Sequence, residues 1–396
     1  MLVLILNAGS SSLKFQLMNH ATHDVFASGV AERIGIDGKL VIESRTKTKR
    51  EVNLPTHKEA IEVVLKSLVK GEHKVIDSVE KDIDAIGHRV VHGGEYFSKS
   101  VIVDEDVISK LENLIPLAPL HNPAHIMGIK ICRELMPGKP NVAVFDTAFH
   151  QTMSPSTYMY AVPYEDYKEF GVRKYGFHGT SHHFVSKEAC KLLKDDNAKV
   201  IVCHLGNGSS ICAVKDGKSI DTSMGLTPLE GLVMGTRSGD LDPAVISYLM
   251  EKKKMNAQDI IDYLNKKSGL LGVSGISSDL REIIQASEKG DERATLAIDL
   301  KSNRIKKYIC SYAGVLGGID AICFTAGVGE NASIIREKVC ANLEFMGIEI
   351  DKDKNDAKQS GTREVSSDKS KVKVFVIPTN EEFVIANDTY NLVKDL

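Results

Sequence analysis

Short apolar runs alternate with longer runs of helical spacing along most of the chain. Apolar content and alternation predict strands at residues 2–6, 13–18, 25–31, 84–94, 141–145, 200–205, 210–214, 319–325 and 374–378. A spacing of 3.6 residues predicts helices at residues 58–70, 124–135, 243–250, 257–267, 291–315, 381–394 and from about 332. Charged residues between 31 and 58 predict a loop, and those of 351–373 predict a surface excursion. This pattern is typical of an α/β protein.

Three of the strands lead into turns of small residues that suit an anion. The turns are Asn7-Ala-Gly-Ser-Ser-Ser12, Gly206-Asn-Gly-Ser-Ser210 and Gly327-Val-Gly-Glu-Asn331. Glycine lets the backbone approach a ligand closely, and successive N–H groups form a concave nest for phosphate oxygens. None of the three is a Gly-x4-Gly-Lys-Ser/Thr loop or a complete Gly-x-Gly-x-x-Gly motif. An ordinary turn is the alternative for any single copy, but three copies favour phosphate binding.

The first two turns are followed at once by another apolar run. We therefore expect both to be tips of β-hairpins, since a P-loop or a dinucleotide fold would place a helix there. The two hairpins begin the two halves of a 396-residue chain, which is long enough for two domains. The sequence thus predicts two similar α/β halves that grip a nucleotide in the cleft between them.

Composition excludes several other classes of protein. The chain is 42% hydrophobic and 26% charged, and its formal net charge of -3 gives no global field that would recruit nucleic acid. Its seven cysteines include no Cys-x-x-Cys pair, which is typical of reduced core residues in a cytoplasmic protein. No signal peptide and no apolar run of about 20 residues is present, so we expect a cytosolic protein without a membrane segment.

Eight short motifs, in order along nearly the whole chain, resemble those of the acetokinase family within the actin-like phosphotransferases. They lie at residues 7–14, 88–94, 145–150, 175–182, 204–210, 234–240, 327–331 and 378–382. The resemblance implies duplicated actin-like (ribonuclease H-like) domains with an interdomain active-site cleft. Residues 1–150 plus 381–396 would form an N-terminal domain that binds acetate and Mg²⁺, and residues 151–380 a C-terminal domain that binds nucleotide and dimerises.

The implied reaction is reversible, Mg²⁺-dependent, direct in-line transfer of the ATP γ-phosphoryl group to acetate, which gives acetyl phosphate and ADP in a homodimer. Such transfer requires cationic groups, because negative charge spreads over the phosphoryl oxygens. By resemblance, Arg237 and His178 stabilise the transition state, and Arg89 holds the acetate carboxylate, to which a planar guanidinium is suited.

Asp146 occupies the position of an essential acid in the family. Acetate is already ionised at neutral pH, so it needs no general base. We therefore favour an Asp146 that orients Arg89 or Arg237. A place in the metal shell, the handling of protons, and a carboxylate that only caps the strand end are the alternatives.

The resemblance also assigns the metal, nucleotide and substrate contacts. Asn7 and Glu381 correspond to residues that hold Mg²⁺, which Mn²⁺ could replace, although alignment alone separates Glu381 from Glu382. The implied ATP or ADP contacts are Ser10, Ser12, Lys14, His204, Leu205, Gly206, Asn207, Gly208, Asp279, Leu280, Arg281, Gly327, Val328, Gly329, Glu330 and Asn331. The implied substrate pocket comprises Arg89, Val91, Leu120, His121, Phe177 and Pro228.

Other functions stay open at this point. Propionate or butyrate kinases are the nearest alternatives, since one methylene changes binding by only about 1 to 3 kcal/mol. A sugar kinase would use Asp146 as a base but would leave Arg89 without a role, and a nucleotide-gated binding protein would show slow chemistry. Histidine pairs such as His178 with His182 suggest zinc, but no cysteine cluster accompanies them.

Overall fold

The computed structural model describes residues 1–396, which divide into two compact units. Unit 1 consists of Met1–Phe149 and Asn380–Leu396, and unit 2 of His150–Thr379. None of the helices combines the length and the apolar character that crossing a bilayer would require.

The secondary structure alternates between strands and helices in both units. The strands are β1 (Leu2–Ala8), β2 (Ser12–Asn19), β3 (Val25–Glu32), β4 (Lys39–Glu43), β5 (Lys47–Glu51), β6 (Ala85–Val90), β7 (Val101–Ile102), β8 (Asn141–Phe145), β9 (Val200–Leu205), β10 (Ser209–Lys215), β11 (Lys218–Thr222), β12 (Ala321–Thr325), β13 (Arg363–Glu364) and β14 (Lys373–Val376). The α-helices are α1 (His57–Val69), α2 (Val79–Asp82), α3 (Glu105–Asn113), α4 (Asn122–Leu135), α5 (Pro155–Tyr158), α6 (Tyr164–Phe170), α7 (Gly179–Leu193), α8 (Ala244–Lys253), α9 (Ala257–Lys266), α10 (Gly269–Ser274), α11 (Leu280–Glu288), α12 (Glu292–Leu316), α13 (Ala326–Asn331), α14 (Ser333–Cys340), α15 (Lys352–Asp356) and α16 (Glu381–Val393). Short 3₁₀ turns occur at Ile115–Leu117, Ala148–Thr152 and Glu344–Met346.

The two units contain sheets with the same central plan. In unit 1 the order is β5-β4-β3-β2-β1-β6-β8-β7, and in unit 2 it is β11-β10-β9-β12-β14-β13. Each sheet has an antiparallel meander, of five strands in unit 1 and three in unit 2, whose first strand pairs in parallel with a later strand, β1 with β6 and β9 with β12. The predicted α/β class is confirmed, and so are the hairpins β1–β2 and β9–β10.

The central strand β1 of unit 1 buries side chains on both faces of the sheet, since successive side chains point in opposite directions. Leu4 and Leu6 of β1 pack in the cluster that contains α1, whereas Val3 and Ile5 pack in the cluster that contains α16. Gly87 of β6 lets α16 approach closely, since a Cβ there would lie 2.6 Å from Ile385 Cγ2. This contact places the first residues of α16 near the ends of the central strands.

The same alternation organises unit 2. Val200 and Val202 of β9 pack with α7, whereas Ile201 and Cys203 pack in the larger cluster that contains α12. All six residues of β9 are buried. The strand therefore brings the hairpin tip that follows it to the edge of a well-packed sheet.

One prediction about a charged segment is wrong, and a second is confirmed only in part. The expected loop between 31 and 58 contains the hairpin β4–β5, in which Leu40 and Ile42 are buried and charged residues stand at both ends of β4. The expected excursion 351–373 contains α15 and β13. Asn355 and Val365 are buried there, so part of the segment belongs to the body of unit 2.

Candidate active site

The β1–β2 hairpin presents two of the predicted site residues on one face of unit 1. Asn7 and Lys14 are direct cross-strand partners, and such partners share a face of the sheet. The turn between the strands is closed by Gly9 N donating to Ser12 O at 2.7 Å. The His57 ring nitrogen Nε2 lies 2.7 Å from Gly9 O and links the tip to α1. Ser10 lies exposed in this turn, and Ser12, the first residue of β2, is half-buried.

Arg89 and Asp146 form a bidentate ion pair in unit 1. Arg89 Nε donates to Asp146 Oδ1 at 2.9 Å, and Nη2 donates to Oδ2 at 2.6 Å. The pairing follows from the sheet, since β6 carries Arg89 and the neighbouring parallel strand β8 ends just before Asp146. The Asp146 side chain is 2% exposed and that of Arg89 is 24% exposed. The pKa of Arg89 is raised, chiefly by the charge of Asp146.

Glu381 is the first residue of α16 and lies in the same part of unit 1. Its Oε1 atom is buried and has no hydrogen-bond partner. Burial raises the pKa of Glu381 to about 7, although the positive charge of Arg89 opposes that rise. Asn7, Lys14, Arg89, Glu381 and Glu382 all line one cavity of about 40 Å³. A water needs about 10 to 15 Å³, so this cavity has room for an ion or a few waters.

The residues around Glu381 fit a hydrated Mg²⁺. An unpartnered buried carboxylate oxygen and an amide side chain are oxygen ligands of the kind that Mg²⁺ accepts, and this ion usually keeps several waters. No group of three or more His, Cys, Asp or Glu side chains is arranged to hold a metal.

The other predicted substrate residues of unit 1 are more dispersed. Val91 lies just beyond β6 and is buried, with its N–H donating to His125 Nδ1 at 3.4 Å. Leu120 is 70% exposed, so its side chain packs little within the unit. His121 is the residue that precedes α4. The structure thus brings Arg89 and Asp146 together in unit 1.

Unit 2 contains a large cavity of about 770 Å³. Its volume is within the range of small-molecule sites, which is about 300 to 1,000 Å³. Three predicted nucleotide segments meet there, namely the β9–β10 tip, the start of α11 and α13. The predicted residues that line it are Gly206, Asn207, Asp279, Leu280, Arg281, Gly327, Val328 and Asn331. Ser10, Ser12 and Lys14 belong to unit 1 instead.

Two of the nucleotide segments differ in detail from expectation. Residues 327–331 form most of the short helix α13, whereas the sequence predicted a turn followed by a helix. Asp279 caps α11 by accepting from Arg281 N at 2.9 Å, and its carboxylate also pairs with the Arg281 side chain. That pair lowers the pKa of Asp279 to about 2. Asp279 therefore has a structural task as a helix cap beside its predicted contact.

Arg237 and His178 converge beside the hairpin tip of unit 2. A Cβ atom on Gly208 would lie 3.5 Å from Arg237 Nη1 and 3.6 Å from His178 Nε2. Arg237 Nη1 donates to Pro228 O at 3.3 Å, and no carboxylate pairs with Arg237. Burial lowers the pKa of Arg237. A partly buried guanidinium that no acid neutralises is suited to an anionic ligand.

His178 is held by several contacts at the start of α7. Its backbone has φ of 57°, a conformation that costs a non-glycine residue about 1 to 3 kcal/mol and occurs often at functional sites. Its ring stacks on His204 with centroids 4.2 Å apart, and its Nδ1 lies 2.8 Å from Ser210 Oγ. Phe177 is buried, and His150 Nε2 lies 2.9 Å from its carbonyl oxygen.

Sequence reasoning missed two sets of contacts that support this part of unit 2. Gly235 donates from its N–H to Asn207 O at 3.0 Å, and a Cβ on Gly235 would lie only 1.8 Å from Asn207 Oδ1. Lys301 of α12 is fully buried, and its Nζ donates to Ser209 Oγ at 3.1 Å and to Val233 O at 2.9 Å. Gly235 and Lys301 thus link the β9–β10 hairpin to the loop that contains Arg237. In the sequence, Lys301 is one lysine among the many charges of a long helix.

Comparison with known proteins gives full-length matches. The model of the acetokinase family matches residues 2–387. The chain is 55% identical over 399 residues to an acetate kinase of Fusobacterium nucleatum and 56% identical over 403 residues to one of Thermoanaerobacter pseudethanolicus, with 100% of each chain covered. It is similar to the crystal structure of a Porphyromonas gingivalis acetate kinase, at 49% identity, a TM-score of 0.96 and 99% coverage of both chains. A Francisella tularensis propionate kinase gives 47% identity and a TM-score of 0.93, with 99% of this chain and 100% of that one covered.

Proposed function

Because this chain belongs to the acetokinase family, we propose that it transfers the γ-phosphoryl group of ATP to acetate and gives acetyl phosphate and ADP. The resemblance drawn from the sequence motifs is thereby confirmed. The enzyme is a phosphotransferase with a carboxyl group as acceptor.

The convergence of Arg237 and His178 is the main support for phosphoryl transfer. Arg237 Nη1 and His178 Nε2 converge beside Gly208, at the tip of the hairpin that borders the large cavity of unit 2. Phosphoryl transfer depends mainly on positioning and on the stabilisation of charge. A guanidinium without an acidic partner and an imidazole nitrogen supply donors for equatorial oxygens of the group in flight. We assign both residues to the transition state.

Arg89 is the residue that we assign to the acetate carboxylate. The Asp146 carboxylate accepts from Nε and Nη2 of Arg89 and fixes the plane of the guanidinium, while Nη1 of Arg89 makes no hydrogen bond in unit 1. Nη1 can therefore donate to the acetate carboxylate in a direction that Asp146 has already set, and this lowers the entropy lost on binding. This geometry supports an orienting role for Asp146. No proton has to leave acetate at neutral pH, so a base is not required.

We propose that Glu381 and Asn7 hold Mg²⁺ through oxygen atoms, partly by way of water. When bound, the ion would supply positive charge to phosphate oxygens. Glu381 must be ionised to serve, and the charge of a bound cation would lower its pKa from the raised value of about 7. Lys14 lies on the same cavity and would add a second positive charge for the phosphates. Mn²⁺ is expected to replace Mg²⁺.

The predicted nucleotide contacts of unit 2 support ATP and ADP as the phosphoryl donor and product. The β9–β10 tip offers backbone groups and an asparagine side chain to the large cavity, as a phosphate-binding turn requires. The predicted contacts of Ser10 and Ser12, the pocket formed by Val91, Leu120, His121, Phe177 and Pro228, and the cleft between the two halves stay predictions.

We also propose that the chain acts as a homodimer in the cytoplasm, on the basis of the family resemblance alone. Size-exclusion chromatography with light scattering tests the first part, since a dimer would have twice the 43.3 kDa mass of the chain. A mass equal to one chain at enzyme concentrations that support turnover would contradict it.

Propionate is a second candidate substrate, because a propionate kinase shares the fold of this chain at 47% identity. The test is the initial rate of acyl phosphate formation with Mg-ATP and formate, acetate, propionate or butyrate, with the product trapped by hydroxylamine. We expect acetate to give the highest kcat/KM, propionate a lower one and sugars no turnover. Faster reaction with propionate or butyrate would reassign the substrate, and phosphorylation of a sugar or binding without turnover would replace the proposal.

A further inference from the structure

A buried serine in unit 2 joins two histidine rings. Ser210 Oγ lies 2.8 Å from His178 Nδ1 and 2.6 Å from His182 Nε2. Ser210 is the second residue of β10, and His182 lies in the first turns of α7, the helix that His178 precedes. Ser210 and His182 have no exposed surface. We name the three residues His178, Ser210 and His182 the Ser210 relay.

The proton position on His182 follows from its surroundings. Its Nδ1 atom is buried and has no hydrogen-bond partner. Burial lowers the pKa of His182 well below its usual value, so the ring carries a single proton. A proton on Nδ1 would be a buried N–H without an acceptor. Buried donors without a partner are rarer in proteins than buried acceptors without one, and each costs about 1 to 3 kcal/mol of folding free energy. The proton therefore lies on Nε2, which donates to Ser210 Oγ.

The proton position on His178 follows from that of Ser210. A serine hydroxyl has one proton to donate and accepts through its lone pairs. Since Ser210 Oγ accepts from His182, its own proton is free to go to its other partner, His178 Nδ1. Nδ1 of His178 is then the acceptor of that bond. In a neutral imidazole, the remaining proton lies on Nε2.

We propose that Ser210 and His182 are positioning residues that hold His178 as its Nε2–H tautomer, so that Nε2 donates to the phosphoryl group in flight. The proposal rests on the proposed function, which makes His178 a donor at the transition state. Nε2 faces the hairpin tip on the side where Arg237 Nη1 also lies. With the opposite tautomer, the lone pair of Nε2 would face the phosphoryl oxygens and repel them.

The direct test is ¹⁵N NMR of the full-length enzyme with ¹⁵N-labelled histidine, with the His178 signals assigned by their loss in His178→Gln. We expect a protonated Nε2 and an unprotonated Nδ1 on His178 in the wild type, and a mixture of tautomers in Ser210→Ala. A protonated Nδ1 on His178 in the wild type would overturn the proposal. This measurement does not depend on turnover, so it stays informative even if no acyl phosphate forms and the proposed function fails.

Kinetics give the second readout. Ser210→Ala should lower kcat about tenfold to a hundredfold, up to the scale for losing one transition-state donor, with the KM for ATP changed less than about twofold. Ser210→Thr keeps the hydroxyl and should recover most of kcat. Ser186→Ala is the matched control, because Ser186 is a buried serine of α7 whose hydroxyl donates to a backbone carbonyl, His183 O. It should leave kcat unchanged.

A third variant covers the case in which Ser210→Ala does not fold. His182→Phe removes the donor to Ser210 and keeps a ring of similar size, so the preference of His178 for one tautomer should weaken and kcat should fall. A Ser210→Ala or His182→Phe enzyme with the wild-type tautomer and the wild-type kcat would refute the relay. If Ser186→Ala lowered kcat as much as Ser210→Ala does, the effect would be merely structural and the relay would also be refuted.

Discussion

Asp146→Asn is the substitution that tests the orientation of Arg89 most directly. The carboxylate accepts two hydrogen bonds from Arg89, at 2.9 and 2.6 Å, and is 2% exposed, so water cannot replace a lost bond. The amide keeps one acceptor oxygen and presents an NH₂ group to the other guanidinium nitrogen. One charge-assisted bond, worth about 1.5 to 3 kcal/mol, is therefore lost.

That loss predicts the size of the kinetic effect. Each 1.36 kcal/mol corresponds to a factor of ten, so kcat/KM for acetate should fall by about 10-fold to 150-fold. The fall should be mainly in the KM for acetate if Arg89 binds the substrate before the transition state. The assay is the hydroxylamine-trapped acyl phosphate, measured over a series of acetate concentrations at saturating Mg-ATP.

A double-mutant cycle separates orientation from the alternatives. If Asp146 acts through Arg89, the double variant Asp146→Asn with Arg89→Ala should be no worse than Arg89→Ala alone. Asp299→Asn is the matched control, because its carboxylate pairs with Lys338 at the surface and is 52% exposed, where pairs contribute about 0.2 to 1 kcal/mol. The reasoning would be refuted if the falls in kcat/KM of the two single variants multiplied in the double variant. An unchanged kcat/KM in Asp146→Asn would also refute it. A change confined to the Mg²⁺ requirement would instead move Asp146 to the metal shell.

Three further predictions concern Arg237, Val91 and Glu381. Arg237→Ala should lower kcat about a hundredfold or more, the scale for losing one transition-state donor, and a near-normal kcat would remove its role. Val91→Ala should raise the ratio of propionate to acetate kcat/KM, because it enlarges the proposed pocket by two methyl groups; an unchanged ratio would mean that Val91 does not contact the acid. The raised pKa of Glu381, about 7 in the folded state, means that its contribution to stability is present below its unfolded value of about 4.3 and is lost as the pH rises through 7. Thermal unfolding without Mg²⁺ should therefore show Glu381→Gln to raise Tm at pH 8 but not at pH 4, and equal effects at both values would contradict this account.

Much of the fold could be predicted from local sequence. The hairpins β1–β2 and β9–β10 follow from apolar runs interrupted by small residues, because turn chemistry and alternation act over only a few neighbours. The same local reasoning was wrong for β4 and β5, whose many charged residues hid the two buried side chains, Leu40 and Ile42. A strand at the edge of a sheet can carry such charges because one of its faces is solvated.

The sequence by itself determined the α/β class, the family and the types of residue available for phosphoryl transfer, since these are properties of patterns and motifs. Only the tertiary structure decided which of those residues meet. Arg89 and Asp146 are 57 positions apart, and Glu381 comes to them from the last helix because Gly87 admits α16 to the sheet. The partners of Ser210 and the burial of Lys301 arise in the same way. Burial and charge pairing depend on which distant segments pack together, and no local pattern encodes that packing.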